Sequence, residues 1–387
     1  MHRKVLNRVC EINFTDLSSS QLRRLASVMQ AQFPALIHLR LGFDRFICPI
    51  SGLSDIGFSG RFARLQSLEL DFIPIPALPK LLLSATDLVR LTLLNPLFMF
   101  SSEALVTSLA VLTNLKFLTI RFEPPVFPPI GESRRLPPPS SPTRTVIPAL
   151  ARFEFQGSCE YLNHLMARFD TPLLDCLQIT LFPQCIFDFS QLVQFMIRTT
   201  NFGAFNEAHV NFDHSGLQVG YLPPPRIFGG NFWLRFLRSS SFLPDWQFSS
   251  LTQVVTSFSP STYMVEYLYI YGLSAKSQRD AKKVQWLEFF HPFTFVKNLY
   301  VSWNCSKCIA FALRDLVGES ATEVLPALES LYLEDLRPSG LVEEAIGPFV
   351  AARQLLGHPV AVSHWEIPRS LQKRSTTLAL DHSTRAP

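Results

Sequence analysis

The chain has 387 residues, of which 47% are hydrophobic and only 17% charged. Its formal net charge is +4, and the absence of a dense run of basic residues argues against a nucleic-acid-binding surface. No run of about 18 uncharged apolar residues is present, so we expect no transmembrane helix and no membrane partner. The seven cysteines are scattered, and no apolar secretory core follows the first residues, so we expect a cytoplasmic or nuclear protein.

A six-residue pattern of the form L-x-x-L-x-L, with other apolar residues in place of some leucines, recurs along the chain. It is the strand signature of leucine-rich repeats, whose period is roughly 20–29 residues, and the period here lies at or above the top of that range. The long gap between the seventh and eighth matches predicts degenerate repeats. The matches are Val9–Phe14, Leu36–Leu41, Leu65–Leu70, Leu88–Leu93, Leu115–Ile120, Leu150–Phe155, Leu174–Ile179, Val265–Ile270, Val296–Val301 and Leu328–Leu333.

Helical patterns lie between these matches, with apolar residues at three- and four-residue intervals. Together they predict an α/β leucine-rich-repeat solenoid (horseshoe) over residues 1–366, with a parallel concave sheet and convex helices. The fourth residue of each match should be buried, as at Leu68, Leu91, Leu118, Leu177, Leu268, Leu299 and Leu331. The predicted helices are Gln21–Gln30, Ala77–Ala85, Glu103–Leu112, Glu160–Phe169, Gln191–Thr199, Gln247–Phe258, Lys282–Phe290, Cys308–Val317 and Leu341–Leu356.

Three stretches depart from this pattern. The Pro-rich loop 123–148 is either a docking site for a proline-binding domain or a tolerated insertion, and we favour the insertion. Residues 205–245 form irregular repeats, in which turn signals predict an antiparallel excursion of three short strands. Val360–Trp365 is a possible last strand, and the polar tail 367–387 is predicted to be disordered. The three short strands are His209–Phe212, Leu217–Leu222 and Phe232–Phe236.

Candidate chemistry is sparse. Cys305 and Cys308 form a Cys-x-x-Cys motif between a strand and a helix, which is the context of a redox pair, but two ordinary turn cysteines are the favoured interpretation. His209 and His214 have a weak metal-ligand spacing, and we expect solvated loop histidines. We therefore predict no catalytic residue, no cofactor and no metal site, and a protein that is not an enzyme.

A family resemblance rests on several runs: Leu65–Leu70, Ile75–Ala85, the loop ending at Thr143–Thr145, His291–Thr294, Thr322–Leu328 and Phe349–Leu355. Over about residues 10–366 the chain resembles the fungal F-box/leucine-rich-repeat-like proteins of mushroom-forming fungi. The resemblance implies a ubiquitin ligase adaptor, in which an F-box binds a Skp-type subunit and the repeats hold a protein substrate. No F-box segment precedes the first repeat in this sequence, so we expect Skp-type binding only if an F-box lies upstream.

The candidate protein-binding site lies in the last repeats. Tyr269, Tyr300 and Tyr332 occupy the fifth position of three successive matches, so their rings should form a ladder on the concave face. Exposed tyrosines are frequent binding hot spots, although tyrosine also simply favours strands. Further predicted site residues are Tyr267, Tyr271, Asn298, Ser302 and Glu334.

Two other functions are alternatives to a protein-interaction scaffold. The first is a nucleic-acid-binding solenoid that uses arginines along one rim, which ranks well below the scaffold because Glu69, Asp71 and Glu154 interrupt the rim. The second is a truncated product without an independent role. The rim arginines are Arg40, Arg90, Arg121 and Arg152.

Overall fold

The computed structural model describes residues 8–29, 33–43, 62–72, 78–95, 102–123, 144–182, 187–203, 205–213, 216–224, 230–237, 246–258, 264–272, 283–316, 318–334 and 340–366. Most of the Pro-rich loop and the whole predicted tail 367–387 lie outside these residues. The chain divides into two compact units. Unit 1 comprises Met1–Gly203 and Pro225–Leu237, and unit 2 comprises Ala204–Pro224 and Arg238–Pro387.

Unit 1 is built on a parallel sheet whose strands are joined mainly by helices. Its strands pair in the order β1-β2-β3-β4-β5-β7-β9-β12, and two short strands, β6 and β8, form a separate parallel pair. The strands are β1 (Glu11–Leu17), β2 (His38–Phe43), β3 (Ser67–Asp71), β4 (Arg90–Leu94), β5 (Phe117–Arg121), β6 (Thr145–Val146), β7 (Arg152–Gly157), β8 (Phe169–Asp170), β9 (Cys176–Leu181) and β12 (Asn231–Leu237).

Two helices of unit 1 begin at a serine cap. Ser18 forms a capping box with Gln21, in which each residue's side chain accepts from the other's backbone N–H. Ser158 accepts from the Tyr161 N–H at the start of the fourth helix. The helices are α1 (Ser19–Val28), α2 (Leu78–Ser84), α3 (Ser102–Leu109), α4 (Cys159–Met166) and α5 (Ser190–Arg198).

Unit 2 repeats this plan with one antiparallel addition. Its strands pair in the order β11-β10-β13-β14-β15-β16, and all of these pairs are parallel except β10 with β11. The strands are β10 (Glu207–Asp213), β11 (Gly216–Leu222), β13 (Tyr267–Gly272), β14 (Asn298–Val301), β15 (Ser330–Glu334) and β16 (Ala361–Trp365). The helices are α6 (Trp246–Ser257), α7 (Lys283–Phe290), α8 (Trp303–Arg314), α9 (Ser320–Glu323) and α10 (Leu341–Leu355).

The core follows the repeat pattern. Along the strands, buried apolar residues alternate with more accessible residues, as in β13, β14 and β15. All seven leucines predicted at the fourth position are fully buried, and each such side chain stabilises the fold by about 1.5–3 kcal/mol. The predictions of an α/β class and of parallel template strands paired in order are therefore confirmed. The single domain over 1–366 stays a prediction.

The three strands predicted in the irregular region are present. His209–Phe212 and Leu217–Leu222 lie in β10 and β11, which form an antiparallel pair, and Phe232–Phe236 lies in β12, which runs parallel to β9. One sequence prediction is corrected. The predicted helix Cys308–Val317 begins five residues earlier, at Trp303, so Cys305 and Cys308 are helical rather than turn residues.

Candidate functional site

The predicted tyrosine ladder exists in unit 2. The strand register places Tyr269 beside Tyr300 and Tyr300 beside Tyr332. The ring centroids are 4.5 Å apart in the first pair and 4.4 Å in the second, and the planes are inclined by only 14° and 5°. Because these separations match the spacing of neighbouring strands, about 4.8 Å, the backbone itself sets the stack.

His209 extends the stack at its β10 end. The register pairs it with Tyr269, and the two rings are 4.5 Å apart and inclined by 7°. Its Nε2 lies 3.2 Å from a carboxylate oxygen of Glu207, and its Nδ1 lies 3.4 Å from the Tyr271 hydroxyl. The side chain is 4% exposed, so the prediction of a solvated loop histidine is wrong for His209; His214 lies outside the described residues. We call His209, Tyr269, Tyr300 and Tyr332 the ring stack.

Trp365 covers one side of the ring stack. Its ring meets that of Tyr300 edge-on, with centroids 5.1 Å apart, and it also lies within ring contact of Tyr269 and Tyr271. Its indole N–H donates to the Val301 carbonyl oxygen at 3.4 Å. Trp365 is 9% exposed and packs against the ring stack at the carboxyl-terminal ends of the strands.

Burial controls the chemistry of the phenols. Desolvation, with smaller contributions from Tyr332, Tyr267 and Glu207, raises the pKa of Tyr300 to about 12. Desolvation likewise raises the pKa of Tyr269 and Tyr271, and the Glu207 carboxylate adds to both shifts. Tyrosine hydroxyls with an ordinary pKa of about 10 are already neutral at physiological pH, and these shifts extend the neutral range upward, so all three can both donate and accept hydrogen bonds.

The remaining predicted site residues divide into two groups. Tyr267 and Asn298 are neighbours in register and partly exposed, and each lies two residues before the ring-stack tyrosine of its strand. Ser302 is only 3% exposed, and its hydroxyl accepts from the Gly272 N–H at 3.1 Å, so it supports the backbone rather than the surface. A Glu334 carboxylate oxygen accepts from the Trp303 N–H at 3.0 Å and thereby caps α8.

The sheet face that carries the ring stack, which we call the open face, is acidic. It comprises the side chains in the same alternating rows as the ring stack on the described strands of unit 2. Glu207, Asp213 and Glu334 occupy these rows, and no lysine or arginine does so on these strands. Lys297, just before β14, is paired with Glu266 at 2.9 Å.

The arginine rim of unit 1 is interrupted by carboxylates. Three of its four arginines are paired with two glutamates, and the fourth lies over an aromatic ring. The contacts are Arg40 Nε to Glu69 Oε1 at 3.2 Å, Arg121 Nη2 to Glu154 Oε2 at 2.9 Å, Arg152 Nε to Glu154 Oε1 at 2.8 Å, and the Arg90 guanidinium carbon at 4.9 Å from the Phe117 ring centroid.

Burial is the main feature of the Cys-x-x-Cys motif. Cys305 is fully buried, and partial burial raises the pKa of the Cys308 thiol, which disfavours the thiolate that redox chemistry needs. Within the described residues, no group of three or more His, Cys, Asp or Glu side chains is placed to hold a metal ion.

Sequence reasoning missed His209, Glu207 and Trp365. The alternation of Ala208, Val210 and Phe212 was a usable strand signal for β10, and the predicted last strand already contained Trp365.

No family model and no curated protein matches the chain. In the part of the chain that the structure describes, no helix has both the length and the apolar character needed to cross a membrane.

Proposed function

We propose that this chain is a non-catalytic protein-interaction scaffold of the leucine-rich-repeat type, whose parallel strands form the concave sheet of a solenoid with convex helices. In this proposal a partner protein binds the open face of unit 2. The observation that carries it is the ring stack, in which three partly exposed tyrosines are held in register by the backbone.

The stack has the properties of an interface hot spot. Tyrosine offers a large, rigid contact area with a polar tip, and such residues carry much of the binding energy of protein interfaces. Since stacking on both sides already restricts Tyr269 and Tyr300, little conformational entropy is left to lose when a partner binds. Neutral hydroxyls along the stack would give the interface its hydrogen-bonding specificity.

The test compares two triple variants of the whole chain by proximity labelling in cells. In one, Tyr269, Tyr300 and Tyr332 are replaced by alanine. The control replaces three residues that share the corresponding row in unit 1. The control residues are Glu69, Thr92 and Thr119.

The proposal expects partners to be lost with the tyrosine variant and kept with the control. Tyr332→Ala alone guards against unfolding, because Tyr332 has a stacked ring on one side only among the described residues. Lost labelling in this variant at an unchanged melting temperature supports the site. An unchanged partner list in the triple variant, or losses that track thermal unfolding in every variant, refutes it.

The resemblance to F-box/leucine-rich-repeat-like proteins supports a narrower proposal, that the scaffold is the substrate arm of an F-box type ubiquitin ligase. The test is gel filtration of the full-length gene product with a purified Skp-type subunit. Co-elution supports ligase membership. Separate elution refutes the ligase role and leaves the scaffold proposal standing.

A further inference from the structure

The two ends of the ring stack differ. At one end, His209 is almost fully buried and is engaged on both ring nitrogens. At the other end, one face of Tyr332 lies against Tyr300, while its other face is directed towards β16. The residue in register with Tyr332 on β16 is Ser363, which is small and exposed. Among the described residues, no second ring and no cation lies over Tyr332.

Among the described residues no ring and no cation fills the position above Ser363, which we call the vacant layer of the stack. Neighbouring layers are separated by 4.4–4.5 Å, so a flat group would fit between Tyr332 and solvent, on the side of the sheet where β16 is the last described strand. A planar group can stack on the free ring face over its whole area, whereas a tetrahedral ammonium group can make only a point contact.

Charge selects among planar groups. Glu334 lies two residues after Tyr332 on the same strand and the same side of the sheet, and one of its oxygens already accepts from α8. With this acid in the open face and no lysine or arginine there on the described strands, a cationic planar group is favoured. The negative potential of an aromatic face adds to this preference.

We propose that the free face of Tyr332, above Ser363, is a subsite for an arginine side chain of the partner protein. This inference rests on the proposed scaffold function and names the chemistry of the partner: an exposed segment in which an arginine guanidinium becomes the fifth layer of the stack. The acidic open face complements a basic segment of this kind.

The test uses the full chain and four small probes in saturation-transfer NMR: the N-acetyl amides of arginine, lysine, citrulline and phenylalanine. Citrulline keeps the planar shape of arginine but has no charge. We expect the arginine probe to bind about 2–5-fold more tightly than the citrulline and lysine probes, in line with an exposed cation–π contact. Equal or tighter binding of the citrulline, lysine or phenylalanine probe overturns the proposal.

Substitutions of Ser363 locate the site. Ser363→Tyr adds a ring in the vacant layer, and tyrosine is well tolerated in strands, so the fold should be kept while binding of the arginine probe is lost. Ser363→Ala is the matched control and should bind as the wild type does. Tyr332→Phe, which keeps the ring, should also bind, and Tyr332→Leu should not. Undiminished binding by Ser363→Tyr, confirmed as folded by its melting temperature, refutes the subsite.

Failure of this inference is distinguishable from failure of the scaffold proposal. If Ser363→Tyr keeps every proximity-labelled partner while the triple tyrosine variant loses them, the arginine subsite is wrong and the ring stack remains the binding site. If neither variant loses a partner, the scaffold proposal itself is wrong.

Discussion

A buried arginine offers a direct test of how the last repeats are held together. Arg353, on α10, is 1% exposed and donates to three backbone carbonyls: those of Ala321 at 3.4 Å, Pro326 at 3.1 Å and Leu328 at 2.9 Å. The last two carbonyls belong to the turn that leads into β15. Among the described residues, no carboxylate pairs with this guanidinium, and burial lowers its pKa from the usual value.

The expected cost of Arg353→Met follows from these contacts. Methionine keeps much of the apolar stem but leaves two buried carbonyls and one part-buried carbonyl without their donor, at about 1 kcal/mol each, so we expect a loss of about 3 kcal/mol in the free energy of unfolding. Arg353→Ala also opens a cavity and should lose more. The opposing term is the desolvation of the guanidinium, which the apolar substitution relieves.

Chemical denaturation of the full chain, followed by circular dichroism, measures these differences. The matched control is Arg314→Met, because Arg314 is exposed on α8 and its only ion pair among the described residues is with Asp315; its loss should change stability by less than about 0.5 kcal/mol. If Arg353→Met were as stable as the wild type, the desolvation cost would cancel the three hydrogen bonds. The claim that Arg353 ties α10 to the turn would then be refuted.

Three further predictions concern packing and ionisation. Leu331→Ala, at a fully buried site, should cost about 2–5 kcal/mol in denaturant unfolding, whereas the exposed Glu329→Ala should be near neutral; equal midpoints would mean that the strand register is wrong. Gly230→Ala should lower the free energy of unfolding by about 1–3 kcal/mol, because the added Cβ would lie 2.7 Å from Cδ1 of Phe202. In a double-mutant cycle Phe202→Leu should recover part of this loss, and simple additivity of the two changes would contradict the steric explanation. The pKa of Tyr300 is raised to about 12 in the folded chain. The contribution of Tyr300 to stability should therefore be complete below the ordinary tyrosine pKa of about 10 and lost as the pH rises through 12. The tyrosinate absorbance of the wild type minus that of Tyr300→Phe should show this late titration, and a midpoint near 10 would contradict burial.

Local sequence patterns predicted the elements whose signal is local. The leucines of β3, β4, β5, β13, β14 and β15 fix which side chains are buried, and a period of two then determines the row in which Tyr269, Tyr300 and Tyr332 lie. The ring stack could be predicted because one residue type recurs at one position of three clear matches.

The features that were missed depend on contacts between distant parts of the chain. At the start of α8 the N-cap residue Ser302 makes no side-chain cap hydrogen bond, and Glu334, on the next strand, accepts from the Trp303 N–H instead. His209 is buried in the ring stack because β10 pairs in register with β13, although the small Ala208 stands where the pattern expects leucine. Trp365 reaches Tyr300 across β15, which separates β14 from β16 in the sheet.

The position of β16 links order at the end of the sheet to ligand occupancy. Among the described strands β16 has one neighbour, β15, and four of its five residues are exposed, so local opening there should require less free energy than opening of β14. Trp365 is the buried residue of β16, and it packs against Tyr300. A ligand that bridges Tyr332 and Ser363 would bind only the closed strand and would therefore slow amide hydrogen exchange along Ala361–Trp365.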